Sequence, residues 1–507
     1  MPITNSVQEI LETVIPESLL YPKNIDEILQ LPTFLSRLNF SQTITGTSFD
    51  ALDINVQEAV VLRRITQLVE ICRTNPVWKD RINNVVGTDP ITSFEAFMSI
   101  PVTNKEVFTD LFADKRIGMV VPVERGGFQI ANSGGTASGR ASEIVYSRQE
   151  LLDTYKRAGT FIGQHIIEPY MDAKQACWVG TTLADNQLWS SGTMVGGLLQ
   201  EIPNINYLGI GPMSCNTYQR IMNNPGQKVL MGIVNDIAAL VPYANSLTNQ
   251  QKQELRLVLY GSGLLPQKVK DDLRCAYPNL LILSFFAATQ AETIGLQLDE
   301  NSNILTAVPG LHLIEIVDEN GRWVQEGEEG DLVVTRLFAN EAPVLRYKLG
   351  DRVIRRSNLK THSLNSMQFE YVGRSDDFIT IASTAFYVPH ALPIIAQNLK
   401  DANIVDLNKI ADIYQLHVNQ QGNDVHLVIA TNNYADYKQI CNDSTVQITI
   451  TEAMLSGLFA SKAKFSDYQK SAFIKNNCRF RLSCVPPDSV LIHRTEVGKT
   501  PLICRVA

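Results

Sequence analysis

Ser133-Gly134-Gly135-Thr136-Ala137-Ser138-Gly139-Arg140 puts three glycines, three hydroxyls and one cation into eight residues. The glycines let the backbone curve so that its N–H groups converge on one point. Ser133, Thr136 and Ser138 add donors and Arg140 adds charge, which is what gripping a polyphosphate requires. No Gly-Lys-Ser/Thr follows, so this is not a Walker loop. The same composition also suits a plain flexible turn.

Five further stretches carry residues able to do chemistry. Tyr260-Gly261-Ser262-Gly263 follows the apolar run Leu255 to Leu259, and a glycine turn at the end of a parallel strand is where α/β proteins bind ligands. It could equally be a tight turn. Ser284 to Gly295 begins as an apolar strand and ends in Thr289, Gln290 and Glu292, as a site or an ordinary strand end would. Arg346-Tyr347-Lys348-Leu349-Gly350-Asp351 offers a carboxylate after a glycine turn, able to accept two ribose-like hydroxyls or to close an ordinary hairpin. Gly373-Arg374-Ser375-Asp376-Asp377 sits where the composition changes, and Glu496-Val497-Gly498-Lys499-Thr500 places a lysine near the C-terminus.

The elements that must position these groups can be read from periodicity. Residues 1–85 read as an amphipathic helical lead-in, with Val56, Val60, Leu62, Ile65, Leu68, Val69 and Cys72 near one face of a helix. From 117 to 335, strand-like runs (Phe128 to Ala131, Ala176 to Gly180, Leu255 to Leu259, Leu280 to Phe285) alternate with helical segments, which predicts parallel βαβ units. The spacing predicts a helix over Ser147 to Ile162, with Ser147 as cap and Glu150 three residues on. Between 309 and 375, short runs punctuated by Gly321, Gly327 and Gly330 predict antiparallel strands. Residues 378–507 carry 12 Lys+Arg and 10 Asp+Glu, whereas the whole chain is at −8, so a domain boundary is expected near Asp376. The expectation is a large domain over 1–376 and a small one over 377–507.

The length of 507 residues calls for more than one domain, and 45% apolar with 19% charged residues is ordinary for a globular protein. The net charge of −8 does not suggest a nucleic-acid partner, and no apolar run reaches bilayer length. Met1 to Leu20 carries Glu9, Glu12 and Glu17 and no basic residue, unlike a signal or transit peptide, so a cytoplasmic protein is expected. The eight cysteines form no CxxC pair, which speaks for reduced, mostly buried thiols over a zinc site.

Taken in order, these stretches resemble the adenylate-forming superfamily of acyl-CoA synthetases, peptide-synthetase adenylation domains and luciferases. The resemblance covers roughly residues 75–507. Ile100-Pro101-Val102-Thr103-Asn104-Lys105-Glu106 and the helix around Trp78 to Ile82 resemble the phenylacetate-CoA ligase branch. The resemblance implies an α/β fold, with a large N-terminal domain of mixed sheets flanked by helices and a small, mobile C-terminal α+β domain hinged at Asp376.

It also implies roles. Ser133, Gly134, Gly135, Thr136, Ser138, Gly139 and Arg140 would hold ATP phosphates, with Thr136 central. Ser262 and Gly263 would lie beside the adenine and Phe286 would pack on it. Thr289 would contact phosphate, Asp351 the ribose hydroxyls with Arg374 nearby, and Lys499 would swing in for adenylation. Gly192, Gly196 and Gly197 would lie near the acyl pocket, with room for an aryl ring. The implied substrates are ATP with Mg2+ and a small carboxylic acid, and the acceptor is coenzyme A or the pantetheine arm of a carrier protein.

The sequence also departs from the superfamily pattern. Ser138-Gly139-Arg140-Ala141 replaces Gly-x-Pro-Lys, and Phe286-Ala287 replaces Tyr-Gly. Gln290 replaces the metal-binding glutamate, with Glu292 two residues on as a candidate Mg2+ ligand, and Ser383-Thr384 replaces a glycine of the thiol tunnel. Amide formation is therefore the runner-up, and a non-catalytic nucleotide-binding homologue the alternative of another class. The run Lys462, Lys464, Lys470, Lys475, Arg479 and Arg481 reads as a solvated face or as a docking patch for an anionic acceptor.

Overall fold

The computed structural model describes residues 6–132, 143–186, 188–381, 384–419, 424–437, 443–461, 478–495 and 498–506. They fall into two compact units. The first comprises Met1–Gly232, Glu254–Gly261 and Leu281–Val372, and the second Ile233–Gln253, Ser262–Leu280 and Gly373–Ala507.

The first unit opens with helices, among them Val7–Val14, Phe34–Thr45, Ile54–Arg73 and Pro76–Val86. Asp53 caps the helix Ile54–Arg73, and of the predicted stripe Val60, Ile65, Leu68, Val69 and Cys72 are buried while Val56 and Leu62 are half-buried. Arg64 is buried with it, because its guanidinium donates to Leu337 O at 2.8 Å and Asn340 Oδ1 at 2.5 Å. Ser147 caps the helix Arg148–Ile162 through a bond from Glu150 N.

Strand β1 (Phe128–Asn132) pairs antiparallel with β2 (Glu143–Ser147) as a separate two-stranded sheet. The parallel placement expected for Phe128 to Ala131 is therefore corrected. A parallel partner needs a crossover of a dozen or more residues, usually a helix, whereas only the glycine-rich stretch 133–142 separates these strands.

The remaining strands of this unit build one mixed sheet of 11 strands: β3 (Cys177–Thr181), β4 (Asn206–Gly209), β5 (Gln227–Ile233), β6 (Leu255–Gly261), β7 (Leu281–Ala288), β8 (Glu292–Gln297), β9 (Ile304–Ala307), β10 (His312–Val317), β11 (Glu329–Arg336), β12 (Tyr347–Lys360) and β13 (Asn365–Arg374), in the order β10-β11-β12-β13-β9-β8-β7-β6-β5-β3-β4. β3 runs parallel to β4 and β5, and β6 to β7. β7–β8, β8–β9, β9–β13, β10–β11 and β11–β12 are antiparallel. The sheet thus changes character at β7, where helical crossovers give way to short glycine-punctuated links. The run expected over Arg352 to Arg355 is part of the 14-residue strand β12.

In the second unit, β14 (Phe378–Ile381) and β15 (Thr384–Tyr387) form a hairpin. β16 (Ile413–Asn419), β17 (Asp424–Ala430), β18 (Arg479–Val485) and β19 (Ile503–Val506) form a four-stranded sheet in the order β18-β17-β16-β19. The helices Val388–Asp401 and Ser444–Ala460 share its core through Ile395, Leu399, Leu427, Met454 and Leu482. Lys268 ties the segment Ser262–Leu280 to this unit through Asp412 at 2.8 Å.

Cys72, Cys177, Cys484 and Cys504 are buried, while Cys275 is exposed. Among the described residues, no cluster of three or more His, Cys, Asp or Glu is placed to hold a metal ion, and no helix is long and apolar enough to cross a membrane.

Candidate active site

Asp351 stands on a bulge inside β12. Asp331 faces Arg352 and Val333 faces Lys348, so Leu349, Gly350 and Asp351 together oppose Leu332. Gly350 takes the left-handed φ of +82° that such a bulge favours. The hairpin reading is thereby corrected: the motif interrupts a strand and does not end one. Asp351 is 3% exposed.

Arg346, just before β12, is held at φ +48° and buried. Its guanidinium donates to Glu315 Oε1 and Oε2 at 3.1 and 3.3 Å, to Ile100 O and Gly321 O at 2.6 Å each, and to Met98 O. Trp323 Nε1 donates to Glu315 at 2.9 Å. Thr103 sits against the same segment, with its N–H on Arg346 O at 2.8 Å, its hydroxyl on Leu345 O at 2.9 Å, and its carbonyl accepting from Lys348 N at 2.9 Å. The Ile100-to-Glu106 stretch therefore buttresses the backbone leading into the Gly-Asp bulge.

Phe286 packs its ring on Tyr371 at 5.5 Å and on Phe369 at 6.3 Å. Thr289 and Gln290 form the turn between β7 and β8, and Tyr146 donates to Thr289 O at 2.7 Å. Glu292 follows, left-handed at φ +54° and buried. Burial pushes its carboxyl up to about 8, against the pull of Arg336. Glu150 is likewise raised to about 8 by burial, although Arg336 Nε lies 3.0 Å from its Oε1. One guanidinium thus serves two buried carboxyls, and it also lies 4.1 Å above the Tyr146 ring. Glu292 Oε1 has no hydrogen-bond partner among the described residues.

A cavity of about 500 Å³ opens at the C-terminal ends of β3 and β4. Thr181, Gly209, Ile210, Tyr155 and the helix Ser191–Gln200 line it, including Gly192, Gly196 and Gly197. A Cβ on Gly196 would lie 2.6 Å from Tyr207 Oη, one on Gly197 2.5 Å from the Tyr155 ring, and one on Gly192 2.8 Å from Ala184 Cα. The rings that occupy the room left by Gly196 and Gly197 are therefore the chain's own.

In the second unit, Ser262 leaves the end of β6 at φ +65°. Arg374 and Asp376 share a turn closed by Asp377, whose carboxylate accepts from Arg374 N at 3.0 Å. Burial raises the Asp377 carboxyl. Arg374 Nε lies 3.9 Å from Asp376, and both side chains are exposed. Gly498 and Lys499 form a loop closed on Thr495, whose N–H donates to Lys499 O at 2.8 Å and whose hydroxyl accepts from Lys499 N at 3.1 Å. Asn235 donates its amide to Gly498 O, fixing that loop on the segment that follows β5.

Several nominated residues, Ser133, Gly134, Gly135, Thr136, Ser138, Gly139 and Arg140, lie outside the described residues, as do Ser383 and Lys462, Lys464, Lys470 and Lys475. Asn132 and Glu143, which flank the first of these stretches, are paired partners. Of the basic run, Arg481 is engaged by Asp424 through bonds of 3.0 and 2.8 Å.

No protein-family model matches the chain, and no curated protein matches it in sequence. Solved structures do match. A crystal structure of 2-hydroxyisobutyryl-CoA ligase in the postadenylation state, in complex with 2-HIB-AMP, aligns at a TM-score of 0.66 and 14% identity over 90% of this chain and 91% of that one. An acyl acid amido synthetase in complex with 2,4-DB aligns at a TM-score of 0.56 and 12% identity, over 89% and 93%. The fold is that of the adenylate-forming enzymes.

Within this adenylate-forming fold, the structure brings some of the nominated residues together in four places, and Asp351, Phe286, Ser262 and Gly263 belong to none of them. Thr289, Gln290 and Glu292 share one turn, Gly192, Gly196 and Gly197 one cavity, Arg374 and Asp376 one exposed turn, and Gly498-Lys499 one tethered loop. Tyr155 connects the first two places: it lines the cavity, and the Glu292 carboxyl is close enough to push its hydroxyl upward. Sequence reasoning missed Tyr155, Arg336 and Arg346. The two arginines carried a faint signal, a cation next to strongly apolar strand segments.

Proposed function

We propose that this chain activates a small carboxylic acid with ATP and passes the acyl group to a thiol, on coenzyme A or on a carrier protein's pantetheine arm. A carboxylate oxygen attacks the α-phosphorus and pyrophosphate leaves. The acceptor sulfur then attacks the acyl carbon and AMP leaves. The observation that carries this reading is the fold match over 90% of the chain to a ligase caught with its acyl-AMP, together with the order of the motifs in the sequence. The amido synthetase match favours the runner-up, in which an amine attacks the acyl-AMP.

In this reading Asp351 binds the ribose hydroxyls, Ser262, Gly263 and Phe286 border the adenine, Thr289 and the stretch Ser133 to Arg140 hold the phosphates, and Arg374 assists. Residues 377–507 act as a small mobile domain hinged at Asp376, and Lys499 bridges the carboxylate and the α-phosphate. The cavity at Gly192, Gly196 and Gly197 receives the acid. A pyrophosphate-release screen over aryl, fatty and amino acids tests the first step. Coenzyme A, carrier protein and amines, offered in turn to the acyl-AMP, test the second. Activation with no acid at all would sink the reading.

Asp351→Asn will weaken ATP binding by about tenfold or more while leaving the fold intact, because hydrogen bonds to a charged acceptor contribute roughly 1.5–3 kcal/mol each. Titration calorimetry checks it, and an unchanged affinity would move the ribose site elsewhere.

A divalent cation fits the turn at Thr289. Glu292 Oε1 is buried without a partner among the described residues, and a cation there would displace the proton that burial favours. Gln290 and Glu292 would hold Mg2+ together with the nucleotide phosphates, and the ion would neutralise phosphate charge. Gln290→Glu will lower the Mg2+ concentration at half-maximal rate, read from a Mg2+ titration. An unmoved Mg2+ dependence, with Glu292→Gln raising the requirement, would leave Glu292 as the sole protein ligand.

A further inference from the structure

The loop that carries Lys499 is held at its base and at its tip by different parts of the chain. At the base, Gln415 on β16 clamps the incoming chain, accepting from His493 N at 2.9 Å and donating to His493 O at 2.7 Å. Where the chain leaves, Leu416 N donates to Leu502 O at 2.8 Å. At the tip, the segment that follows β5 takes over. Asn235 donates its amide to Gly498 O, its one side-chain hydrogen bond among the described residues. A Cβ on Gly498 would lie 3.7 Å from Ile233 Cδ1. Between Ile233 and Asn235, Val234 stands against the turn after β6, where a Cβ on Gly263 would lie 3.5 Å from its Cγ2. Three consecutive residues thus touch both the Gly263 turn and the Lys499 loop. Asn235 alone of the three has a side chain able to hydrogen-bond, and its amide serves the loop backbone and not its own helix Val234–Ala238.

We propose that Asn235 is a positioning residue for the adenylation step, latching the Lys499 loop beside the Ser262-Gly263 turn. Lysine carries its charge on a flexible four-carbon stem, so that charge acts at one place only if the backbone beneath it is fixed. The bonds to Thr495 set the shape of the loop but not its place. Its place is set where Asn235 takes the Gly498 carbonyl. The inference rests on the adenylation reading for its kinetic arm and on the contacts alone for its structural arm.

The test pairs two substitutions. Asn235→Asp keeps the outline of the side chain but turns an oxygen with no proton toward Gly498 O, and near the N-terminus of the helix Val234–Ala238 a carboxylate is well tolerated. Asn235→Ala removes the group. Both will lower kcat for pyrophosphate release, alanine by about three- to tenfold, the size of one neutral hydrogen bond, and aspartate by at least as much. KM for ATP and for the acid will stay near the parent's, as will the melting temperature. In a chain that also carries Lys499→Ala, neither substitution will slow release further, because the latch then has no charge to place. The structural arm is hydrogen exchange of the Thr495, Gly498 and Lys499 amides without nucleotide. It will quicken in both variants, since a loop released at its tip opens more often. If Asn235→Asp matches the parent in both arms, the side chain only fills space and the inference is overturned. It is also overturned if KM for ATP rises at unchanged kcat, which would place the effect in the Gly263 turn, or if the loss adds in full to that of Lys499→Ala. If the parent releases no pyrophosphate with any acid, the adenylation reading fails and exchange decides alone. Quickened exchange then keeps Asn235 as the anchor of this loop, and unchanged exchange removes it.

Discussion

Lys499→Ala will release pyrophosphate about three orders of magnitude more slowly than the parent chain, yet will still consume a preformed acyl-AMP at close to the parent rate. The size follows from removing one preorganised charge from a centre where negative charge builds up, an effect typically of about 10²- to 10³-fold. The closure of the loop survives the substitution. The loop that carries Lys499 is closed by backbone bonds to Thr495 and by Asn235 on Gly498 O, and alanine keeps all three. ATP affinity and melting temperature should therefore stay near the parent's. The discriminating measurement is the pair of half-reactions run separately. Equal slowing of both would make Lys499 a structural or general binding residue, and normal pyrophosphate release would remove it from the adenylation step.

What could be read in the sequence was local. The Ser147 cap needs only the residues that follow it, and it is present with its bond from Glu150 N. The fate of the Glu150 side chain was not legible. The capping-box pattern sends it back to the cap, whereas the fold buries it against Arg336, a residue on β11 far along the chain. The same divide runs through the candidate site. Gly350-Asp351 announced a special backbone position, but whether that is a turn or a bulge depends on which residues of β11 stand opposite. Gly192, Gly196 and Gly197 suggested room for an aryl ring, but what stands against them could not be read, and it is Ala184, Tyr207 and Tyr155. The β1–β2 ribbon was misassigned because an apolar run has the same composition whether its partner lies parallel or antiparallel. Contacts between segments, not propensity, decided each of these.

Arg346→Met will be the most damaging of the fold substitutions near the site, costing about 3–5 kcal/mol, the loss expected when one partner of a buried ion pair is removed. Arg346 and Glu315 are both about 1% exposed, and the guanidinium also satisfies the carbonyls of Met98, Ile100 and Gly321. Methionine fills much of the volume but leaves Glu315 with Trp323 Nε1 as its remaining side-chain donor. Burial already raises the Glu315 carboxyl and the Arg346 charge opposes that rise. Without the charge, Glu315 will rise further and take up a proton. A carboxyl raised above its unfolded value stabilises the fold below that unfolded value, and this contribution is lost as pH climbs through the folded one. The deficit of Arg346→Met should therefore be smallest near pH 5 and grow toward pH 8, whereas a deficit from lost packing alone would not vary with pH. Urea midpoints at the two pH values measure it. Replacing Glu315 by Gln in the same chain should recover part of the loss at pH 8, because the uncompensated charge is then gone. Since Arg346 and Thr103 brace the backbone entering the Asp351 bulge, the folded fraction of Arg346→Met should also bind ATP more weakly than the parent. A variant that melts and binds like the parent at both pH values would show that this buried network is not what holds the bulge.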